Sequence, residues 1–167
     1  MEEIFEEVKA SDEFKKISSN SRLSHIFMML PQDFNPLINS VKDYEIQFGF
    51  FNPEDKKVAI LKYNKGLIDF IPGEDPYTKE SVEIEGIDLK DLSIDIKKSF
   101  EILGDLIKKE YKGNIPLKTI VVLQKIEDNF VWNITILRSD FKTLNVRIDA
   151  TNGDVISHKL AGLIESS

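Results

Sequence analysis

The 167-residue chain contains no cysteine. This absence excludes disulfides, zinc–thiolate sites, iron–sulfur clusters and catalysis by a thiol. Glycine is also scarce. The eight glycines are scattered along the chain, and no G-x-x-x-x-G-K phosphate loop occurs. Long hydrophobic runs are missing too. The longest, "IFMML" and "TIVVL", fall far short of the ~20 residues that cross a bilayer.

The chain carries a formal net charge of −7, and its lysines are interleaved with acidic residues, as in "LIKKEYKG". Nucleic acids and anionic membranes are bound by clustered Lys and Arg, so we predict that neither is a partner. The opening stretch, "MEEIFEEVKA", is acidic and amphipathic, whereas a signal peptide has a basic start and a continuous apolar core. We therefore expect a soluble protein of the cytoplasm.

Histidine occurs only at His25 and His158, without H-x-x-H or H-E-x-x-H spacing. Catalytic zinc needs three protein ligands as a rule, so we predict no metal site and no cofactor. Ser24 adjoins His25, but neighbouring residues of a strand point to opposite faces, which argues against a Ser–His pair. We expect no catalytic residues and predict that the protein is not an enzyme.

The pattern of apolar residues predicts a helix followed by strands, twice over. The first series comprises a helix over residues 2–18, with Ser11 as the candidate cap of a second short helix, and strands at "RLSHIFMML", "YEIQFGFF", "VAILKY" and "LIDFI". The second series has a helix from Ser93 and strands at "LKTIVVLQ", "FVWNITILR", "KTLNVRID" and "DVISHK". Repetition of one supersecondary unit usually indicates duplication. We predict an α+β protein of two tandem units, each a helix packed on a curled antiparallel sheet. The units span residues 1–72 and 91–167, and residues 73–90 connect them.

The stretch "RIDATNGDVISH" crowds acidic and amide residues around Gly153. A calcium-binding EF-hand loop has Gly at position 6 and Glu at position 12, but counting from Asp149 places Gly153 at position 5 and Leu160 at position 12. The pattern instead predicts a β-hairpin with Gly153 in the left-handed conformation. Asp149 and Asn152 would accept backbone N–H groups within its turn.

The second unit resembles a PepSY domain over roughly residues 90–160. The resemblance is carried by the helix "SIDIKKSFEILGDLIKKEY", by "VWNITIL" and by "LNVRIDATNGDVISH", with Trp132, Asp149, Ala150, Gly153 and Val155 matching the family pattern. It implies a cystatin-like fold and a non-catalytic module. PepSY units occur in propeptides of thermolysin-type metalloproteases, where inhibition is proposed, and in membrane-anchored bacterial proteins. The first unit resembles a degenerate second copy.

Aromatic residues are denser than a small sheet needs, which suggests either core or a binding surface. The candidate surface comprises Tyr44, Phe48, Phe50, Phe51, Tyr63 and Trp132. Our first hypothesis is a binding or regulatory module that recognises a protein or peptide through a sheet face or edge. The alternative is a small-molecule binding protein with a cavity between helix and curled sheet. A third interpretation is self-association through sheet edges. The sequence predicts no oligomeric state.

Overall fold

The computed structural model describes residues 1–35, 38–74, 84–111 and 116–162. These ranges contain two α-helices, α1 (Glu2–Lys9) and α2 (Ile96–Glu110). They also contain eight β-strands: β1 (Arg22–Pro31), β2 (Ile46–Asn52), β3 (Lys57–Asn64), β4 (Leu67–Glu74), β5 (Pro116–Ile126), β6 (Asn129–Arg138), β7 (Lys142–Asp149) and β8 (Val155–Gly162). Short 3-10 helices lie at Phe14–Lys16, Val41–Asp43 and Leu89–Asp91. The strands predicted from the apolar patterns are confirmed.

All eight strands form one antiparallel sheet in the order β4-β3-β2-β1-β5-β6-β7-β8. The predicted fold class is therefore wrong, because the two halves of the chain share one large sheet in a β-rich fold instead of forming two tandem helix-plus-sheet units. β1 and β5 pair along their lengths, with Ile26 opposite Leu123. This pairing satisfies two strand edges that separate sheets would have exposed.

The predicted boundaries, units at 1–72 and 91–167, stay a prediction. Of the predicted connection, residues 73–90, positions 75–83 lie outside the described residues.

Both helices cover the same face of the sheet. The side chain of Phe5 on α1 stacks on Phe48 of β2, with ring centroids 5.5 Å apart. Leu103 of α2 belongs to the same buried cluster as Phe48 and Trp132. The cross-strand register shows that these residues lie on one side of the sheet. Phe48 lies opposite Ile26, Ile26 opposite Leu123, and Leu123 opposite Trp132. We call this side the covered face, and the main hydrophobic core lies on it.

The helix predicted over residues 2–18 is divided into α1 and the 3-10 helix at Phe14–Lys16, and the second short helix predicted after Ser11 is confirmed. α1 ends at Lys9, and the backbone N–H of Phe14 donates to the Ser11 Oγ at 3.2 Å. A serine that binds nearby backbone groups competes with helical hydrogen bonds, so a new turn begins there. The apolar residues beyond it still pack inward, with Phe14 edge-on to Phe50 at 5.6 Å.

The corner between β7 and β8 is the predicted hairpin turn. Gly153 has φ +85°, as expected for a left-handed position. The Asp149 Oδ1 accepts hydrogen bonds from the Thr151 N–H (2.7 Å), the Thr151 hydroxyl (2.5 Å) and the Asn152 N–H (3.2 Å). These bonds lower the pKa of the Asp149 carboxyl, the Thr151 hydroxyl contributing most, against the opposing effect of burial. The stretch is therefore a structural corner.

This corner also anchors the approach to α2. The backbone N–H groups of Ser93 and Ile94 both donate to the Ala150 carbonyl, at 3.1 and 2.9 Å. The Trp132 indole N–H donates to the Ile94 carbonyl at 2.8 Å. Asp95 then caps the helix by accepting from the Lys98 N–H at 2.7 Å. Within the described ranges, neither α-helix is long and apolar enough to cross a membrane.

Candidate binding face of the sheet

The side of the sheet opposite the helices, which we call the open face, holds a group of half-buried apolar side chains outside the core. Alternation along each strand places every second residue there. The open face is lined by Phe27, Met29, Gln47, Ile60, Ile120, Val122, Gln124, Asn133, Thr135, Asn145, Arg147, Ser157 and Lys159. Because both described helices pack on the covered face, neither shields these side chains.

The centre of the open face is apolar. Phe27 lies opposite Val122, and Met29 lies opposite Ile120, across the central β1–β5 pair. Phe27, Val122 and Ile120 are half-buried by their neighbours within the sheet, and Met29 is 42% exposed. Contiguous exposed apolar groups on a folded protein often mark an interaction site. The central strands therefore offer a hydrophobic contact surface.

The half of the open face formed by β6, β7 and β8 is polar. The Asn145 amide donates to the Asn133 Oδ1 at 2.8 Å and to the Thr135 Oγ1 at 2.9 Å, which fixes three polar side chains across two strands. Beside them, Arg147 and Lys159 are exposed, and within the described part of the chain neither forms an ion pair. This half therefore presents positive charge on a protein whose net charge is −7.

Ser24 and His25 interact at the β1–β2 boundary, contrary to the prediction that they point to opposite faces. A register irregularity between Leu23 and His25 breaks the alternation and brings the Ser24 Oγ to 3.0 Å from the His25 Nδ1. The Ser24 hydroxyl also donates to the Gly49 carbonyl at 3.0 Å. With that proton used, the Nδ1–H of His25 is the donor to Ser24, so the neutral ring keeps its lone pair on Nε2.

The geometry of this pair is that of a packing contact. A Cβ on Gly49 would lie 2.1 Å from the His25 ring, so the imidazole lies directly over the glycine. Burial lowers the pKa of His25 and favours its neutral form. Ser24 is 5% exposed. A nucleophile must reach its substrate, and Ser24 is enclosed and hydrogen-bonded to backbone.

The aromatic surface predicted from the sequence is mostly core, and this is a correction. Phe48, Phe50, Tyr63 and Trp132 are buried on the covered face under the two helices. Phe51 points to the other side but is also buried, with the Arg22 guanidinium 5.6 Å from its ring centroid. Tyr44 alone of the six is half-buried, edge-on to Phe34 at 5.2 Å. Large aromatic rings gain most from burial, and the helices supply it.

The open-face residues are not among the six candidate residues predicted from the sequence, although the sequence carries a signal for them. The strands "IFMML" and "TIVVL" are continuously apolar, and such strands present apolar side chains to both faces of a sheet. Only one of those faces is covered by the described helices. The runs therefore indicated a second apolar surface in the central strands, on Phe27, Met29, Ile120 and Val122.

A cleft of about 610 Å³ lies beside α1, where β1 begins. Its walls include apolar Phe5 and Ile87 but also charged Glu2, Glu6 and Lys9. It opens to solvent along the margin of the helix and is not enclosed between a helix and a curled sheet. Among the described residues, no three His, Asp or Glu side chains form a group that could hold a metal ion.

Comparison with known proteins gives a fold relationship. No family model matches the chain, and no curated protein matches it. The crystal structure of a "putative lipoprotein" from Clostridium difficile 630 is similar, with a TM-score of 0.60 and 14% sequence identity over 96% of this chain and 91% of that chain. At this identity the likeness shows the fold alone. The PepSY resemblance and the cytoplasmic location stay predictions.

Proposed function

We propose that the protein is a non-catalytic binding module that recognises a protein or an extended peptide through the open face of its sheet. The observation that carries this proposal is the apolar centre of that face. Phe27, Met29, Ile120 and Val122 are contiguous across the two central strands and point away from both described helices. Surfaces of this kind gain free energy when a partner removes them from water.

The composition of the open face supports specific recognition of a partner in preference to nonspecific hydrophobic association. Protein interfaces combine an apolar centre rich in aromatic residues, Met and Arg with a polar rim that forms hydrogen bonds. Here Phe27 and Met29 lie at the centre, and the Asn133–Asn145 network and Arg147 lie to one side. The apolar centre would supply affinity, and the ordered amides would select the partner.

Small-molecule binding, the alternative, finds its best support in the cleft beside α1. The volume of about 610 Å³ is within the usual range for ligand sites. Such sites have mostly apolar walls with a few convergent polar groups, whereas Glu2, Glu6 and Lys9 place several charges in this one. The open face therefore supports peptide binding better than the cleft supports small-molecule binding.

The test uses peptides selected on the purified protein from a random displayed library. Met29→Glu and Ile120→Glu place a carboxylate on the open face at directly opposed positions. The control is Phe141→Glu, because Phe141 is an apolar residue that is 72% exposed in the turn between β6 and β7, outside the strands of the open face. We expect the two open-face variants to weaken peptide binding about tenfold or more, and the control to leave it unchanged. Equal affinities for all variants, or no selected peptide, would contradict the proposal.

A further inference from the structure

We propose that the partner contributes an extended acidic segment that pairs with the outer edge of β8 as a ninth strand. This inference rests on the proposed function and names the chemistry of the partner. It combines two independent observations, the state of the two sheet edges and the charge on the open face. Strand addition to an exposed edge takes its affinity from backbone hydrogen bonds and its specificity from alternate side chains.

The two edges of the sheet differ in their capacity to pair. β4, at one edge, contains Pro72 and Gly73 and has irregular register with β3 between Val58 and Ile60. Proline and irregular register are features that protect an edge from further pairing. β8, at the other edge, contains no proline, and its first five residues are exposed. Its register with β7 is irregular between Arg147 and Ile148, but residues 157–162 pair with β7 without interruption, a longer regular run than residues 67–71 of β4. No described strand occupies the outer side of either edge, so β8 is the edge better able to pair.

The side chains on β8 define what a ninth strand would meet. On the open face, Lys159 projects from β8 itself, and Arg147 projects from β7 opposite Ser157. Residues directly opposite in a sheet have Cβ atoms about 5 Å apart, and diagonal neighbours remain within reach of long side chains. An acidic residue beside Lys159 would therefore lie within reach of that ammonium group, and Arg147 adds a second positive charge one strand further in. The single carboxylate on this side of β6 to β8, Asp149, is already bound within its own turn.

The covered side of the same edge carries two apolar residues, which adds a second element to the expected pattern. Ile156 is 47% exposed, and Leu160 packs against the core, with His158 between them bonded to the Tyr111 hydroxyl at 2.6 Å. Alternate residues of an added strand would face Ile156, His158 and Leu160, and the residues between them would face Ser157 and Lys159. The segment that fits is therefore an alternation of acidic and apolar residues.

A second copy of the chain fits this edge less well. Antiparallel pairing of two β8 edges would place the Lys159 side chains of both copies on the same face of the joined sheet, with Arg147 one strand behind each. Like charges placed opposite each other in a sheet destabilise the pair, and the described residues of β8 include no acidic group to offset them. Charge complementarity thus selects an acidic partner strand over self-pairing.

The probe is a capped peptide of alternating Asp and Val, eight residues long to match β8. Peptides of alternating Ser and Val, and of alternating Lys and Val, serve as controls. Binding is measured by titration, and its location by NMR shifts and hydrogen exchange of the β8 amides. We expect the Asp peptide to bind, added salt to weaken it, and the β8 amides to gain protection. Methylating the peptide backbone nitrogens that face β8 should abolish binding.

Two variants make the charge argument testable. Lys159→Glu should weaken the Asp peptide about tenfold and favour the Lys peptide, whereas Lys97→Glu, an exposed position on α2, should change neither. Equal binding of the Asp and Ser peptides, insensitive to Lys159→Glu, would overturn the inference. If such binding still shifted the signals of Phe27 and Ile120, the proposed function would stand without it. A peptide-free dimer with protected β8 amides would overturn the inference in favour of a second copy.

Discussion

Gly153 offers the sharpest test of how the β7–β8 corner is built, because the chain contains a matched position. Gly153 and Gly66 both have φ +85°. A Cβ on Gly66 would have no neighbour within 4 Å, whereas one on Gly153 would lie 3.1 Å from the Ile102 Cδ1 and 3.3 Å from the Ile94 Cδ1. Gly66→Ala therefore measures the backbone strain alone, and Gly153→Ala measures strain plus crowding.

The expected magnitudes follow from these two contributions. A left-handed conformation costs an L-residue ~1–2 kcal/mol, and a stiffer unfolded chain returns ~0.4–1 kcal/mol. Gly66→Ala should thus lower the free energy of unfolding by about 1 kcal/mol. At Gly153 the side chains of Ile94 and Ile102 must also shift, and overpacking typically costs ~1–3 kcal/mol more. Gly153→Ala should then cost about 2–4 kcal/mol, and Gly153→Val should cost more still.

Urea unfolding of the two alanine variants gives the comparison. Ile102→Val removes the Cδ1 that would crowd the new methyl group, so Gly153→Ala should be less harmful in that background than alone. If Gly153→Ala cost no more than Gly66→Ala, the corner would not be packed against α2 as described. If neither variant lost stability, the left-handed conformation of Gly66 and Gly153 would be contradicted.

Two further predictions concern titratable groups. Burial lowers the pKa of His25 below its ordinary 6.5, so the unfolded chain binds a proton more readily, and stability should fall as pH drops below about 6.5. His25→Gln should flatten that pH dependence of urea unfolding; an unchanged slope would contradict the packing of the imidazole on Gly49. Because the pKa of Asp149 is lowered in the folded protein, its carboxylate stabilises the fold at pH values above the ordinary pKa of 3.8. This contribution disappears as pH falls through the pKa of the folded state. Asp149→Ala should cost about 0.5–2 kcal/mol at pH 7, as loss of a helix cap does, and thermal unfolding unchanged at pH 7 would show that the turn does not need these bonds.

The local structure could be predicted from the sequence because it depends on neighbours along the chain. The alternation in "YEIQFGFF" gave β2 (Ile46–Asn52), and the Asn-Gly before β8 gave the turn at Gly153. The arrangement of the two halves could not be predicted, because a strand pattern does not show which strands pair with each other. Whether β1 closes its own small sheet or pairs with β5 is decided by tertiary contacts between residues about a hundred positions apart, such as Ile26 and Leu123.

The candidate surface was misplaced for a related reason. A high density of aromatic residues indicates a sheet face that is buried under other elements, and the helices bury the face that carries Phe48 and Trp132. Periodicity shows that the two faces of a strand differ without showing which one the helices take. The continuous apolar runs of β1 and β5 were the better signal, because a strand with apolar residues on both sides leaves one side uncovered when all the helices pack on the other.

The corner at Asp149–Gly153 links the structural motif to the proposed binding edge. Residues on a strand alternate between faces, so a shift of one position in β8 would exchange Lys159 for Leu160 on the open face. The register of β8 is set where the irregularity between Arg147 and Ile148 meets this turn. The turn is fixed in place by the Asp149 hydrogen bonds and by contact of Gly153 with α2. Asp149 and Gly153, two of the residues that resemble a PepSY signature, therefore help to determine which side chains β8 presents on the open face.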